Sequence, residues 1–178
     1  VMHGFQIWVN LPAKHKMMAP RYQEIPEADS PTVERDGVWA RVIAGECLGV
    51  TSSIDTVIPI SLIHVKMEEG AVLNQTIASG LNGMIYVFSG SIGVNDQLSV
   101  RKQPMPFGIG IKQQVSDGEL ALLSDGETVE ITCDSPCDLL ILAGPEIDEP
   151  IARYGPFVMN TREEIHQAVI DYQNGTFA

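Results

Sequence analysis

The amino-acid sequence predicts an all-β domain, a barrel or sandwich of short strands, closed by one C-terminal α-helix. Three observations carry this. Between residues 38 and 142, short apolar runs with period-two alternation are separated by Gly-, Ser- and Asp-rich turns. The preceding stretch is studded with prolines that forbid a long helix or a central strand. After residue 160 the apolar period changes from two to that of a helix.

In chain order, residues 5–11 come first. Phe5, Ile7 and Val9 alternate with Gln6, Trp8 and Asn10, so a strand is expected there, and it needs a partner because a lone strand is unstable in water. No charged segment or cleavage motif of a signal peptide stands before it. Residues 12–37, with Pro12, Pro20, Pro26 and Pro31, read as a surface linker. Strands are then predicted over 38–44, 57–67, 84–88, 97–101, 107–111, 120–123, 128–132 and 138–142. Ser89-Gly90-Ser91 and Ser124-Asp125-Gly126 read as hairpin turns, and Ser135-Pro136 as a further turn between two apolar runs. Thr161 followed by Glu164 is a capping-box pattern, and Ile165, Ala168, Val169 and Tyr172 form one apolar stripe. Asn174-Gly175 supplies the helix stop.

Composition bounds the function. A chain of 178 residues can bury a core of its own, and no apolar run approaches the ~20 residues of a membrane helix. Eleven Lys and Arg against 23 Asp and Glu give a formal charge of −12, which repels phosphate backbones and argues against direct nucleic-acid binding. Lys14, Lys16 and Arg21 form a small basic cluster that reads first as a solvated face. The three cysteines, Cys47, Cys133 and Cys137, are odd in number and lack a Cys-x-x-Cys pair, so an intracellular, reducing setting is expected. Cys133 and Cys137 flank the Ser-Pro turn signal, which ranks ahead of a redox or metal reading of the pair. There is no G-x-S-x-G elbow, and Gly108-Ile109-Gly110 opens no helix, so it is no phosphate loop.

The predicted barrel can be tested against the ligand spacing by which cupins hold metal. The first motif, G-(X)5-H-X-H-(X)3,4-E-(X)6-G, fits Gly70 and Gly90, and places Thr76 and Ala78 at the histidine positions and Gly83 at the glutamate position. The second, G-(X)5-P-X-G-(X)2-H-(X)3-N, overlays Gly118, Ser124, Gly126, Val129 and Cys133, with Val129 at its histidine. All four ligand positions are thus vacated, leaving a possible pocket but no donor set for iron, nickel or manganese. Two glycines and a hairpin also recur in other small barrels, so spacing alone leaves both readings open. His3, His15, His64 and His166 are scattered, and each reads as a surface or structural histidine.

Three long stretches resemble pirins, which are two-domain cupin proteins: GFQIWVNLPAKHKMMAPRYQ at 4–23, RVIAGECLGV at 41–50 and EPIARYGPFVMNTREEI at 149–165. The resemblance extends over residues 4–175 and implies a cupin β-barrel, the jelly-roll-like double-stranded β-helix, over 38–178 with its terminal helix. It implies that 1–11 is the last strand of an N-terminal cupin domain otherwise missing from this chain, and that 12–37 link the two. Pirins hold a non-haem iron in the N-terminal barrel only, so the resemblance places no metal and no catalytic residue in this chain. Its implied activities are quercetin dioxygenation, which needs that iron, and redox-sensitive co-regulation of transcription through a regulatory protein partner, in cytoplasm and nucleus. Separated from the missing domain, the chain is expected to self-associate through 5–11, since exposed apolar area drives association at roughly 25 cal/mol per Å².

Overall fold

The computed structural model describes residues 4–95, 114–124 and 126–177, so the strands expected over 97–101 and 107–111, and Asp125 of one expected turn, lie outside the described residues. The chain divides into two compact units, residues 24–146, and residues 1–23 with 147–178.

The larger unit is a twisted antiparallel sheet. Its strands are β1 (Thr32–Arg35), β2 (Val38–Ala44), β3 (Glu46–Cys47), β4 (Val50–Thr51), β5 (Ser61–Met67), β6 (Val72–Thr76), β7 (Leu81–Asn95), β8 (Gln114–Ser116), β9 (Leu120–Leu122) and β10 (Thr128–Pro145). The main sheet runs β1-β2-β5-β10-β7-β8, with β6 paired to β10 and β9 to β7. Among the described residues it does not close on itself. Alternation decides which face is core: Val38, Ala40 and Val42 of β2, Ile63 and Val65 of β5, Ile85 and Val87 of β7, and Leu139 and Ile141 of β10 are all buried. Leu73, Ile92 and Ile131 join the same cluster.

Several expectations are corrected here. Residues 5–11 form no strand, because no described strand offers them a ladder. The proline-rich stretch ends in β1, a four-residue strand at the sheet edge, paired with β2 through a turn at Asp36 and Gly37 that takes positive φ at both residues. Ser89-Gly90-Ser91 is not a turn between strands but an interior part of the 15-residue β7. Likewise, the runs at 128–132 and 138–142 are one 18-residue strand, β10, and Ser135-Pro136 sits in an irregularity of its ladder with β7. Gly, Ser and Pro signal a local break in both cases, and the break is met by bulges rather than chain reversal.

The smaller unit holds α1 (Ala13–Lys16), a hairpin of β11 (Ala152–Tyr154) and β12 (Phe157–Met159), and α2 (Arg162–Asn174). The α2 start is built as its sequence predicts. The Glu164 backbone N–H donates to Thr161 Oγ1 at 3.1 Å, and the Thr161 N–H donates to Glu164 Oε2 at 2.8 Å. The backbone N–H groups of Asn160 and Thr161 hold the Glu164 carboxyl below its ordinary range. Gly175 ends the helix in the left-handed conformation. Ala168 is buried, whereas Tyr172, the last member of the stripe, is exposed with its ring edge-on to Phe157 at 5.8 Å.

Candidate functional site

The metal position of a cupin lies inside the barrel, so the decisive quantity is which side chains of β6, β7 and β10 point inward. On β6 and just beyond it the inward residues are Leu73, Gln75 and Ile77, while Thr76 and Ala78 face solvent. The glycine spacing therefore marks the right segment, but the alternation is one residue out of phase with the positions it assigns to the histidines. Gly83 and Val129 are buried and line one small cavity together with Ile77, Leu81, Leu123, Ser124, Gly126 and Thr128. The structure thus brings two of the four expected positions together and turns the other two outward.

That cavity measures about 10 Å³, the room of a single water. Its smallness has an identifiable cause. A Cβ on Gly83 would stand 2.8 Å from Leu123 Cδ1, so the Leu123 side chain occupies the space a residue at 83 would fill. The Leu123 N–H donates to the Gly83 carbonyl at 2.9 Å and holds it there. Gln75, 3% exposed, is the buried polar side chain nearest in sequence, and its Nε2 donates to the carbonyls of Glu46 and Thr76, both at 2.9 Å. Its amide nitrogen is committed to fixing the backbone. No group of three or more His, Cys, Asp or Glu is gathered among the described residues. The described side chains lining this cavity include no imidazole, thiol or carboxylate, so they do not fit a metal ion.

Of the histidines, His64 projects from the outer side of β5. Its Nε2 lies 3.0 Å from Asp138 Oδ1, and its ring meets Trp39 edge-on at 5.3 Å. Trp39 is flanked in turn by Arg41, its guanidinium 5.5 Å from the ring centre, and by Lys66 at 5.7 Å. These are cross-strand pairs, Arg41 opposite His64 and Trp39 opposite Lys66, and they brace the outer face of the sheet. His166 is exposed on α2. In the basic cluster, Lys16 Nζ donates to Asn10 Oδ1 at 2.6 Å.

The sequence did not disclose two features. One is the role of Leu123, whose only signal was an apolar residue beside Ser-Asp-Gly. The other is the proximity of Cys133 and Cys137, whose sulfurs lie 3.5 Å apart.

An antiparallel sheet built on two long irregular strands, with its apolar face gathered into one core, defines a cupin-fold domain. The chain belongs to the pirin family: the pattern of the pirin C-terminal cupin domain matches residues 62–178. It is 35% identical to pirin of Mus musculus over 174 residues, covering 97% of this chain and 56% of that protein. It is 34% identical to pirin of Homo sapiens, with the same coverage. Among solved structures, it resembles a quercetin 2,3-dioxygenase from Acinetobacter baumannii with a TM-score of 0.81 and 30% identity, over 96% of this chain and 55% of the other. The chain spans about half the length of the curated relatives it matches. No helix among the described residues is long and apolar enough to cross a membrane.

Proposed function

We propose that this chain is the non-catalytic half of a pirin-type bicupin, a packed support for a preceding iron-holding barrel in which quercetin dioxygenation takes place. The observation that carries the reading is the filled interior: Ile77, Leu123 and Val129 leave about 10 Å³, and Gly83 presents no side chain at all. A flavonol and a metal need hundreds of Å³ and several converging donors. Purified chain exposed to ferrous iron and then gel-filtered is expected to retain no stoichiometric iron, and to consume no oxygen with quercetin. About one iron per chain, or chelator-sensitive oxygen uptake, overturns the proposal.

The preceding half is the natural partner of the smaller unit, where Phe5, Ile7, Trp8 and Val9 are 39–60% exposed. In its absence these side chains drive self-association. Sedimentation of the chain against an Ile7→Ser/Trp8→Ser variant tests this: a dimer that becomes a monomer supports it, and identical behaviour of the two overturns it. Regulation of transcription by the whole protein would act through protein contacts rather than DNA, in keeping with the charge of −12.

A further inference from the structure

Cys133 and Cys137 belong to one strand, and in straight β-structure residues four apart would stand about 13 Å from each other. Here their sulfurs are 3.5 Å apart. The bulge is what closes the distance. Cys133 pairs with Ile92, Ser135 with Ser91 and Asp138 with Ser89, so β10 advances five positions while β7 covers three. The surplus chain, Asp134 to Pro136, loops outward and leaves both sulfurs facing inward, each cysteine 4% exposed. Gly90 makes the arrangement possible. A Cβ there would lie 2.8 Å from Cys137 Cβ and would collide with the Pro136 carbonyl oxygen. Cys133 Sγ is also 3.0 Å from the Ser135 carbonyl oxygen, which orients the thiol within the loop. Cys47, the third cysteine, is a buried free thiol on β3.

We propose that Cys133 and Cys137 form a peroxide-oxidisable dithiol, a modification site that closes to an intrastrand disulfide across the β10 bulge. The sulfurs need approach by only about 1.5 Å to reach the ~2.05 Å bond length. The step balances with hydrogen peroxide as oxidant. One thiolate attacks a peroxide oxygen to give a sulfenic acid, and the O–O bond breaks with release of water after proton uptake. The second thiol then attacks that sulfur, the S–O bond breaks, and a second water leaves. Two thiols and one peroxide become one disulfide and two waters. Burial pushes both thiols above their ordinary range, which keeps the thiolate scarce and the reaction slow, so the oxidant must be small and in excess. Among the described residues no His, Asp or Glu joins the two sulfurs in a group able to hold a metal ion, which favours a sulfur–sulfur bond over metal capture at this point.

The test treats the full chain with excess hydrogen peroxide, removes the oxidant with catalase, denatures, alkylates free thiols with N-ethylmaleimide, and reads intact mass and a non-reducing peptide map. The expected result is one alkylated cysteine of the three, Cys47, with a Cys133–Cys137 linked peptide. Dithiothreitol restores all three. Cys47→Ser is expected to keep the linkage and Cys137→Ser to lose it. Three alkylatable cysteines after treatment, separate oxygen adducts on Cys133 and Cys137, or a linkage through Cys47 or between chains, each overturns the proposal. The wild-type peptide map decides the matter even if a serine variant fails to fold.

Discussion

The strand pair β7–β10 carries a crowded glycine at each of two places, and the two are crowded by different things. At Gly83 the obstructing atom is Leu123 Cδ1, the far end of a flexible side chain, and the glycine's φ is ordinary. At Gly90 the obstruction is the backbone of Pro136 and Cys137, and φ is +79°. The first glycine marks a site given over to packing, where a ligand residue stands in the cupin pattern. The second is required by the geometry of the bend itself. A shared residue type thus answers to side-chain packing at one position and to the course of the backbone at the other.

Gly90→Ala is the most direct way to break this contrast. Left-handed strain and a backbone collision that cannot relax should together cost more than about 3 kcal/mol, read as a lower denaturation midpoint or as failure to fold. A stable Gly90→Ala protein would refute the account of the bend. Next in size, Leu123→Ala removes the side chain that fills the Gly83 space and should cost about 2 kcal/mol. Adding Gly83→Ala to that variant should cost less than it does alone, and a double-mutant cycle measures the coupling. Additive effects would show that Leu123 does not occupy that space.

The two ends also differ in their response to pH. Burial raises the Cys137 thiol from 9.0 to about 12, and Cys47, elsewhere in the core, to about 11. Above pH 9 the unfolded chain releases protons that the folded chain keeps, so this contribution to stability is complete below pH 9 and is lost as pH rises towards 12. Unfolding midpoints measured across that range should fall, and fall less steeply in Cys137→Ala. The described residues lining the cavity at Gly83 include no titratable side chain, so Leu123→Ala should leave the slope unchanged. The smallest effect is Gly83→Ala alone, below about 1.5 kcal/mol, because Leu123 can rotate aside.

The contrast also explains what was legible in the sequence. Val38–Ala44 alternates without interruption and is a strand over the residues expected. The Thr161–Glu164 cap is equally local, and it is present as its pattern implies. Ser89-Gly90-Ser91 and Ser135-Pro136 misled because turn chemistry and bulge chemistry use the same residues, and only the partner strand decides between them. Strand β6 was hidden because Gln75, a polar residue, occupies an inward position and breaks the apolar alternation. The same residue shows why the site was read one step out of phase: glycine spacing fixes where a segment lies, whereas the facing of its side chains is set by the ladder with β10.

That ladder bears on the order in which the chain can fold. β10 is the last strand of the larger unit, and it pairs with β5, β6 and β7. Until residues 128–132 have left the ribosome β6 lacks its described partner, and until residues 137–143 follow the β1–β2–β5 and β7–β8–β9 groups stand as separate ribbons with apolar faces uncovered. A sheet whose described halves are joined by its final strand cannot be assembled piecemeal during synthesis, and its long-range pairings make closure slow. Nascent chains arrested before residue 128 should therefore be protease-sensitive throughout the larger unit, with protection arriving in one step once β10 has emerged.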